Sequence, residues 1–437
     1  MPLIFSKIMN LKQQNRDSTF LNKAEHVILL LLFFSVSILP KVTTILIILY
    51  ALFSLVNYKK IDLRNLWLQK SFLLLILIYF ILIVGLIYTS DLSSGLRKIQ
   101  TQISFLIFPL FLGTKIITKK NRNTYLFMFV LGVLVTVSVC FGYGLYRFFS
   151  NESMYVLDEF SKTNNIFLYV EFSKFLDLHP TYFSIYIAVS FFALIELPKS
   201  FFSDRPVLKR GIVLILLLAL ILTSSKGGIF SFVISGVVYT AYVYMNKKRK
   251  FVLKKILILC AGVMAVFFLN PMLYKRSEQL LVSFDKFWIR NEQLNESTSI
   301  RFGLWKLSTD VSKENMFFGH GTGSVYRTLN DNCIYLFSFS ICESLRNKNC
   351  HNQYLNFLVS NGILILLPFL FVMVKSILNA LRNRDVFLLF FIVFMGLNFM
   401  FESLLQRERG VVFFTMFLIL LLASNKTKQS KCKNQRI

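Results

Sequence analysis

The sequence predicts an all-α integral membrane protein with about twelve transmembrane helices and one large loop between helices 9 and 10. Two observations lead to this prediction. Of the 437 residues, 55% are hydrophobic and only 16% are charged, and the mean hydropathy is +0.60, above the usual range of soluble domains. The apolar residues also lie in runs close to membrane-spanning length, separated by short polar intervals.

A helix needs about 20 apolar residues, or somewhat fewer, to cross the core of a bilayer, and each apolar run is compared with this length. The first two runs are short and joined by a tight turn at Pro40 and Lys41, so a re-entrant hairpin is the alternative there. No small-residue cleavage pattern follows the first run, which we interpret as a signal anchor. The runs lie near residues 27–40, 43–57, 69–89, 101–117, 124–148, 180–197, 211–225, 228–246, 252–270, 352–374, 385–401 and 410–424.

The net charge of +27 is explained better by membrane topology than by nucleic-acid binding. About 30 of the 49 Lys and Arg residues collect in alternate short intervals between the apolar runs. Because such loops stay in the cytoplasm, both termini are predicted to be cytoplasmic and the large loop periplasmic. The predicted order is a cytoplasmic N-terminus (1–26), helices 1–9 (27–270), the periplasmic loop (271–351), helices 10–12 (352–424) and a basic cytoplasmic tail (425–437).

Three of the six cysteines, Cys333, Cys342 and Cys350, lie in the predicted periplasmic loop. No cysteines show the C-x-x-C spacing typical of a metal site. In an oxidising compartment two of the three could pair, and free buried thiols are the alternative.

Polar residues that suggest chemistry fall on the predicted outer face. His351 opens the tenth run beside Asn352, and Gly362 follows on nearly the same predicted helix face. Arg301 and Trp305 lie one turn apart on a predicted amphipathic loop helix. Taken alone, His351 is explained by hydrogen bonding between helices and Arg301 by a solvated charge, so their significance depends on their neighbours.

Two further outer turns carry charge. Lys226 lies in L-T-S-S-K-G-G, where an ammonium beside the N–H groups of a helix start would attract phosphate, although a lysine that snorkels to the interface gives the same pattern. Glu402, Arg407 and Arg409 stand close together between two apolar runs, and the spacing predicts Glu402, Gln406 and Arg409 on one helical face. Ion pairs that only stabilise the loop explain this cluster equally well.

Familiar catalytic motifs are lacking in the sequence. We find no Ser/His/Asp triad, Walker loop or D-x-D pair in a suitable setting. The predicted outer face instead offers cations and histidine with few carboxylates, which favours an anionic substrate handled without metal or cofactor. Since ATP is absent outside the cytoplasm, the donor must carry its own activation, as a sugar on a polyprenyl pyrophosphate does.

Taken together, these residues resemble the O-antigen ligase and polymerase superfamily of bacterial envelope glycosyltransferases. The resemblance extends from about residue 69 to the last apolar run. It implies a multi-pass inner-membrane protein of lipopolysaccharide biosynthesis. The motifs are S-S-K-G at 224–227, R-F-G-L-W at 301–305, G-H-G-T-G at 319–323, which is predicted to be a turn, and H-N-Q-Y-L from 351, followed by Gly362.

The resemblance implies transfer of a glycan from undecaprenyl pyrophosphate to an acceptor hydroxyl, usually on the lipid A core, at the periplasmic face. We expect an inverting transferase without metal or cofactor, whose partners are the lipid-linked glycan, the acceptor and membrane lipid, with no nucleic acid. A polymerase that joins repeat units on the carrier and a protein O-oligosaccharyltransferase are the alternatives within the class. A transporter of lipid-linked sugars is the rival outside it.

Residue roles follow from the same resemblance. His351 corresponds to the base on the acceptor hydroxyl, and Arg301 to the arginine that neutralises the donor pyrophosphate. Lys226 and Arg409 are further candidate pyrophosphate ligands. Lys226 stands where ligases more often have arginine. Ile365 stands where ligases prefer Gly, Thr or Tyr, so the choice between a ligase and a polymerase stays open. The predicted supporting residues are Asn352, Trp305, Glu402, Arg407 and Gly362.

Overall fold

The chain is described by a computed structural model. Its described part comprises residues 20–57, 66, 69–150, 154–157, 163–201, 205–247, 262 and 297–434. The predicted ninth apolar run, 252–270, lies outside this part apart from residue 262, as does the predicted loop before residue 297.

The described chain is almost entirely helical, with one short antiparallel pair, β1 (Tyr155–Leu157) and β2 (Thr163–Asn165). The helices are α1 (20–35), α2 (Pro40–Val56), α3 (Lys70–Val84), α4 (Leu92–Thr101), α5 (Ser104–Ile107), α6 (Lys119–Phe149), α7 (Tyr169–Ser173), α8 (Pro180–Glu196), α9 (Pro206–Leu222), α10 (Lys226–Lys247), α11 (Ser297–Glu314), α12 (Val325–Leu336), α13 (Phe339–Leu345), α14 (Gln353–Asn383), α15 (Val386–Phe401) and α16 (Glu408–Asn434). A π-helical turn, Phe108–Leu112, and 3₁₀ turns at Lys174–Leu176, Lys199–Phe201 and Leu404–Gln406 complete the elements.

Within the described residues, four helices are long and apolar enough to cross a membrane: α6, α10, α14 and α16. A fifth span is obtained if the bent pair formed by Tyr169–Leu176 and α8 counts as one. Three shorter apolar helices, α2, α3 and α15, accompany them. The helical and apolar character of the chain agrees with the predicted class of protein, and the number of twelve spans stays a prediction.

Two hydrophobic cores hold the described helices together. The larger joins the apolar helices, with α14 packed against α3 and α15, and α8 packed against α6 and α9. The smaller lies among α11, α12, α13 and the start of α14, where Leu304, Val311 and Leu329 are buried. A disulfide between Cys333 and Cys342 ties α12 to α13, so two of the three loop cysteines are paired. Cys350 remains a buried free thiol.

Helix α14 is broken at Asn361 and Gly362, where Gly362 adopts a φ of +64°. The chain there runs against the segment that follows α11, with the Ile363 N–H donating to the Met316 carbonyl at 2.9 Å. A Cβ at position 362 would lie 2.3 Å from the Phe317 carbonyl oxygen. Gly362 is therefore required by a close backbone approach rather than by substrate contact.

The G-H-G-T-G segment, residues 319–323, is a turn, as predicted. It connects α3 with the break in α14, because Thr322 donates its hydroxyl to the Leu82 carbonyl at 2.7 Å and accepts from the Asn361 amide at 3.1 Å. All five backbone N–H groups of the segment donate to acceptors within the protein. None is left to cradle a phosphate, so this glycine-rich motif has a structural role.

Candidate active site

Three of the predicted residues come together where the start of α14, the end of α15 and the loop helix α11 meet. His351 immediately precedes α14, Glu402 follows the last residue of α15, and Arg301 lies in the first turns of α11. Glu402 pairs with both of the others, although His351 lies about 50 residues and Arg301 about 100 residues before it in the chain. A histidine, a carboxylate and a guanidinium therefore form one cluster.

The His351 imidazole is oriented by Glu402. Its Nδ1 lies 3.0 Å from both carboxylate oxygens. Because an ionised carboxylate only accepts hydrogen bonds, Nδ1 carries the proton and donates to Glu402. In the neutral ring Nε2 is then the basic nitrogen, and the side chain, 28% exposed, is accessible to a substrate.

The backbone around His351 is fixed on several sides. His351 adopts a left-handed φ of +42°, stabilised by the Asn349 side chain, which accepts its N–H at 2.9 Å. The Trp305 indole donates to the His351 carbonyl at 3.4 Å, and the Asn352 N–H donates to the Ser403 hydroxyl at 3.1 Å. These contacts set the ring position without touching the ring itself.

The same geometry corrects one sequence prediction. His351 lies outside the helix, since Asn352 is the N-cap of α14 and accepts the Tyr354 and Leu355 N–H groups. His351 and Gly362 do not share a helix face, because the helix begins after the first and is broken at the second. Asn352 acts on the site through the start of α14.

Arg301 completes the cluster from α11. One terminal nitrogen, Nη2, lies 3.5 Å from a Glu402 carboxylate oxygen, and the side chain is 26% exposed. The Nε atom is buried and has no hydrogen-bond partner among the described residues. A buried donor without an acceptor is costly, so Arg301 is poised to meet an oxygen of a bound ligand.

The electrostatics of Glu402 follow from its neighbours. Burial alone would raise its pKa, but the hydrogen bond from His351 and the positive charges of His351, Arg301 and His179 outweigh burial and lower the pKa of Glu402 to about 2. The carboxylate is thus ionised at neutral pH. It stabilises a positive charge on His351 if that ring takes up a proton.

His179, which was not among the predicted site residues, faces the same charges. It is the N-cap of α8, and its Nδ1 accepts the Thr181 N–H at 3.3 Å. Loss of solvent around the ring lowers the pKa of His179. The negative charge of Glu402 raises this pKa, whereas the positive charges of Arg301 and Arg407 lower it. The available signal was the segment H-P-T-Y at the start of the sixth run, on the same predicted outer face.

Lys226 stands at the first position of α10, in a turn wedged between α8 and the end of α15. A Cβ on Gly227 would lie 3.2 Å from Phe401, the residue before Glu402, and one on Gly228 would meet the Ser184 hydroxyl of α8. The Gly228 N–H already donates to the Ser225 hydroxyl at 3.3 Å. The turn that carries Lys226 therefore adjoins the wall of the cluster, with part of its helix start already hydrogen-bonded.

The predicted helical face of Glu402, Gln406 and Arg409 is wrong. The chain leaves the helix at Glu402, with φ −152° and ψ 143°, and passes through a 3₁₀ turn before α16. The guanidinium of Arg409 donates to the carbonyls of Leu176 and Asp177 at 3.1 and 2.7 Å. Arg409 thus fixes the loop that leads to His179.

Another cation adjoins the cluster from α4. Burial lowers the pKa of Lys98, whose ammonium lies near Cys350, the residue before His351, to about 8. Burial also raises the pKa of Cys350 to about 11, so its thiol stays protonated. Nothing in the local sequence pattern shows that α4 lies beside Cys350.

Residues 211–370 match the family model described as O-antigen ligase. The matched range contains Lys226, Arg301, Trp305, His351 and Gly362. No curated protein matches the chain. The fold and the cluster define a helical membrane protein with a histidine, carboxylate and arginine site. The family match supports the resemblance to the O-antigen ligase and polymerase superfamily that the motifs predicted.

Proposed function

We propose that this protein is an O-antigen ligase-like glycosyltransferase that moves a glycan from undecaprenyl pyrophosphate to an acceptor hydroxyl, such as one on the lipid A core. The observation that supports this most strongly is the His351–Glu402 pair beside Arg301. Two of these three residues lie within the range that matches the O-antigen ligase family.

His351 acts as the general base. Its Nε2 takes the proton of the acceptor hydroxyl as the oxygen attacks the anomeric carbon, and Glu402 stabilises the imidazolium that forms. A positioned base of this kind contributes roughly 10²–10⁴ in rate. The proton then passes to solvent, which returns the histidine to its neutral form.

The leaving group is undecaprenyl pyrophosphate. As the bond between the anomeric carbon and the phosphate oxygen breaks, negative charge grows on that oxygen, and attack from the opposite side inverts the anomeric centre. Arg301, whose buried Nε lacks a partner in the part of the chain that the structure describes, stabilises this charge. Lys226 adds a second cation, whereas the contacts of Arg409 favour a positioning role.

The supporting residues divide by their contacts. Trp305 and Asn352 hold the backbone of His351, and Gly362 permits the break in α14. Arg407 is exposed at the same end and adds positive charge near His179. We assign Arg407 to the attraction of the anionic donor.

The proposed location is the periplasmic face of the bacterial inner membrane, with both termini in the cytoplasm. The alternating Lys- and Arg-rich intervals support this orientation. The Cys333–Cys342 disulfide joins α12 to α13, close to the cluster in the chain, and disulfides persist in oxidising compartments.

The proposal is tested with His351→Ala and Arg301→Ala in cells that lack the native gene. We expect each variant to reach the membrane at the wild-type level and to lose glycan transfer, by about 10²-fold or more. Arg346→Ala is the matched control, since Arg346 is an exposed arginine at the end of α13. A wild-type lipopolysaccharide profile from a folded His351→Ala or Arg301→Ala protein would remove that residue from the site.

The gene deletion separates the members of the class. Loss of a ligase leaves bare lipid A core while glycan chains accumulate on the carrier. Loss of a polymerase leaves core capped by a single repeat unit, and loss of a protein glycosylating enzyme leaves lipopolysaccharide unchanged. We expect the first profile.

A further inference from the structure

A polar cavity lies at the opposite end of the helix bundle from the His351 cluster. Arg122, in the first turns of α6, pairs with Asp385 at the start of α15, whereas Glu402 follows the end of α15. The 16 residues of α15 separate these two ends by about 24 Å. The cavity is lined by Asn121, next to Arg122, and so belongs to the end that the charge pattern assigns to the cytoplasm.

The cavity has a volume of about 350 Å³, within the range of about 300–1,000 Å³ typical of small-ligand pockets. Its polar wall carries Lys23, Glu25, His26 and Lys115. An apolar part of the wall is formed by Leu29, Leu112, Ile116 and Ile117. Such a division suits the headgroup region of an amphiphile.

Three of the four side chains of the polar wall, those of Glu25, His26 and Lys115, are already ordered by contacts within the protein. Lys115 pairs with Glu25 and lies 5.2 Å from the centre of the Tyr50 ring. The His26 ring is hydrogen-bonded to the Tyr125 hydroxyl at 2.7 Å. Little side-chain entropy remains to be lost on binding.

One atom of this wall is left unsatisfied. Glu25 is only 4% exposed, and its Oε2 pairs with Lys115. Its Oε1 is buried and has no hydrogen-bond partner in the described structure. Because a buried carboxylate oxygen without a donor is costly, the cavity calls for a ligand that brings a positively charged or hydroxyl donor.

We propose that this cavity binds the phosphoethanolamine headgroup of a membrane phospholipid. The ammonium of the headgroup donates to Glu25 Oε1, and the phosphate accepts from Lys23 and the Asn121 side chain. A headgroup that carries only negative charge would satisfy Lys23 but would leave Glu25 Oε1 without a donor. A zwitterionic headgroup satisfies both, and the apolar wall takes the adjoining glycerol and acyl segments.

The test measures lipid retention on the purified full-length protein by native mass spectrometry, with equimolar phosphatidylethanolamine and phosphatidylcholine supplied, because the phosphatidylcholine headgroup keeps the phosphate but has no N–H or O–H donor. We expect one retained phosphatidylethanolamine per protein, and about tenfold less retention by Glu25→Gln, as for one lost charge-assisted hydrogen bond. Lys23→Gln, an exposed substitution that leaves the core intact, should also lower retention. Lys120→Gln is the matched control, because Lys120 is exposed on α6 outside the cavity.

Equal retention of the two lipids would overturn the proposal, as would unchanged retention by folded Lys23→Gln and Glu25→Gln proteins. Soluble phosphoethanolamine that displaces the lipid at equal concentration would assign the cavity to a free phosphate compound instead, against the lipid source. Persistence of lipid in its presence supports the lipid source.

Discussion

At the scale of single residues, the proposed chemistry depends on the pairing of His351 with Glu402. The carboxylate is almost buried, so its charge acts on the imidazole with little screening by water. It orients the ring and fixes which nitrogen carries the proton. Arg301 shares the same carboxylate, so that one acidic residue positions both groups assigned to the reaction.

The low pKa of Glu402 makes a prediction about stability and pH. The pKa of the Glu402 carboxyl is about 2 in the folded protein, against about 4.3 in the unfolded chain. The ionised carboxylate therefore stabilises the folded state above about pH 4.3, and this stabilisation is lost as the pH falls toward 2. Glu402→Gln should therefore lower the unfolding free energy by on the order of 2 kcal/mol at pH 6–7. Thermal unfolding in detergent should show this difference shrinking between about pH 5 and pH 3. A difference that is constant with pH would show that the carboxylate charge is not the cause.

The sequence was sufficient to select Arg301 and His351, because both lie in local motifs of the family. It could not show that Glu402 hydrogen-bonds His351, since that contact depends on how α14 and α15 pack. His179 and Lys98 were missed for the same reason. Each comes to the cluster from a different helix, and neither has a local pattern that distinguishes it from an interfacial side chain.

At the scale of elements, helices were predicted well where the pattern is purely apolar. Eleven of the twelve predicted runs fall on helical segments of the described chain. The run 101–117 is not one helix, since α4 ends at Thr101 and a short helix and a π-helical turn at Pro109 follow. Proline removes a backbone donor there, and periodicity alone does not show how the chain compensates.

The break in α14 gives a prediction for glycine substitutions. Gly362→Ala would place a Cβ 2.3 Å from the Phe317 carbonyl oxygen, at a φ of +64° that alanine rarely adopts. We expect a loss of more than about 2 kcal/mol of stability, together with loss of activity, because the start of α14 carries the His351 segment.

The matched control is Gly142→Ala in α6, where a new Cβ meets nothing within 4 Å. It should be neutral or slightly stabilising, by up to about 1 kcal/mol, because alanine favours the helix. Thermal unfolding of both purified variants makes the comparison. Equal stability of the two would contradict the role of the close approach at Gly362.

At the scale of the whole molecule, two ends with different chemistry are separated by the helices. One end carries the His351 cluster and the disulfide-linked loop helices, and the other carries Arg122, Asp385 and the cavity at Glu25. The proposed orientation puts the first end in the periplasm. In this orientation the His351 cluster would meet a donor whose sugar is already attached to the activating pyrophosphate.

Cysteine labelling tests that orientation. In intact cells, a membrane-impermeant maleimide should not label Cys333 or Cys342 until a reductant is added, and the partly exposed Cys342 should then react. Cys140 and Cys350 are buried and should react only after unfolding. Labelling of Cys333 and Cys342 without reductant, or only after cell lysis, would contradict an oxidised periplasmic loop.

Glycan transfer by the purified protein is the decisive measurement for the proposed reaction. The protein is incubated in detergent with undecaprenyl-pyrophosphate-linked glycan and lipid A core, without added metal or nucleotide, beside His351→Ala and the Arg346→Ala control. We predict that glycan-modified core and free undecaprenyl pyrophosphate accumulate together with the wild type and the control, and not with His351→Ala. Absence of transfer by the folded wild-type protein, or equal transfer by His351→Ala, would contradict the account.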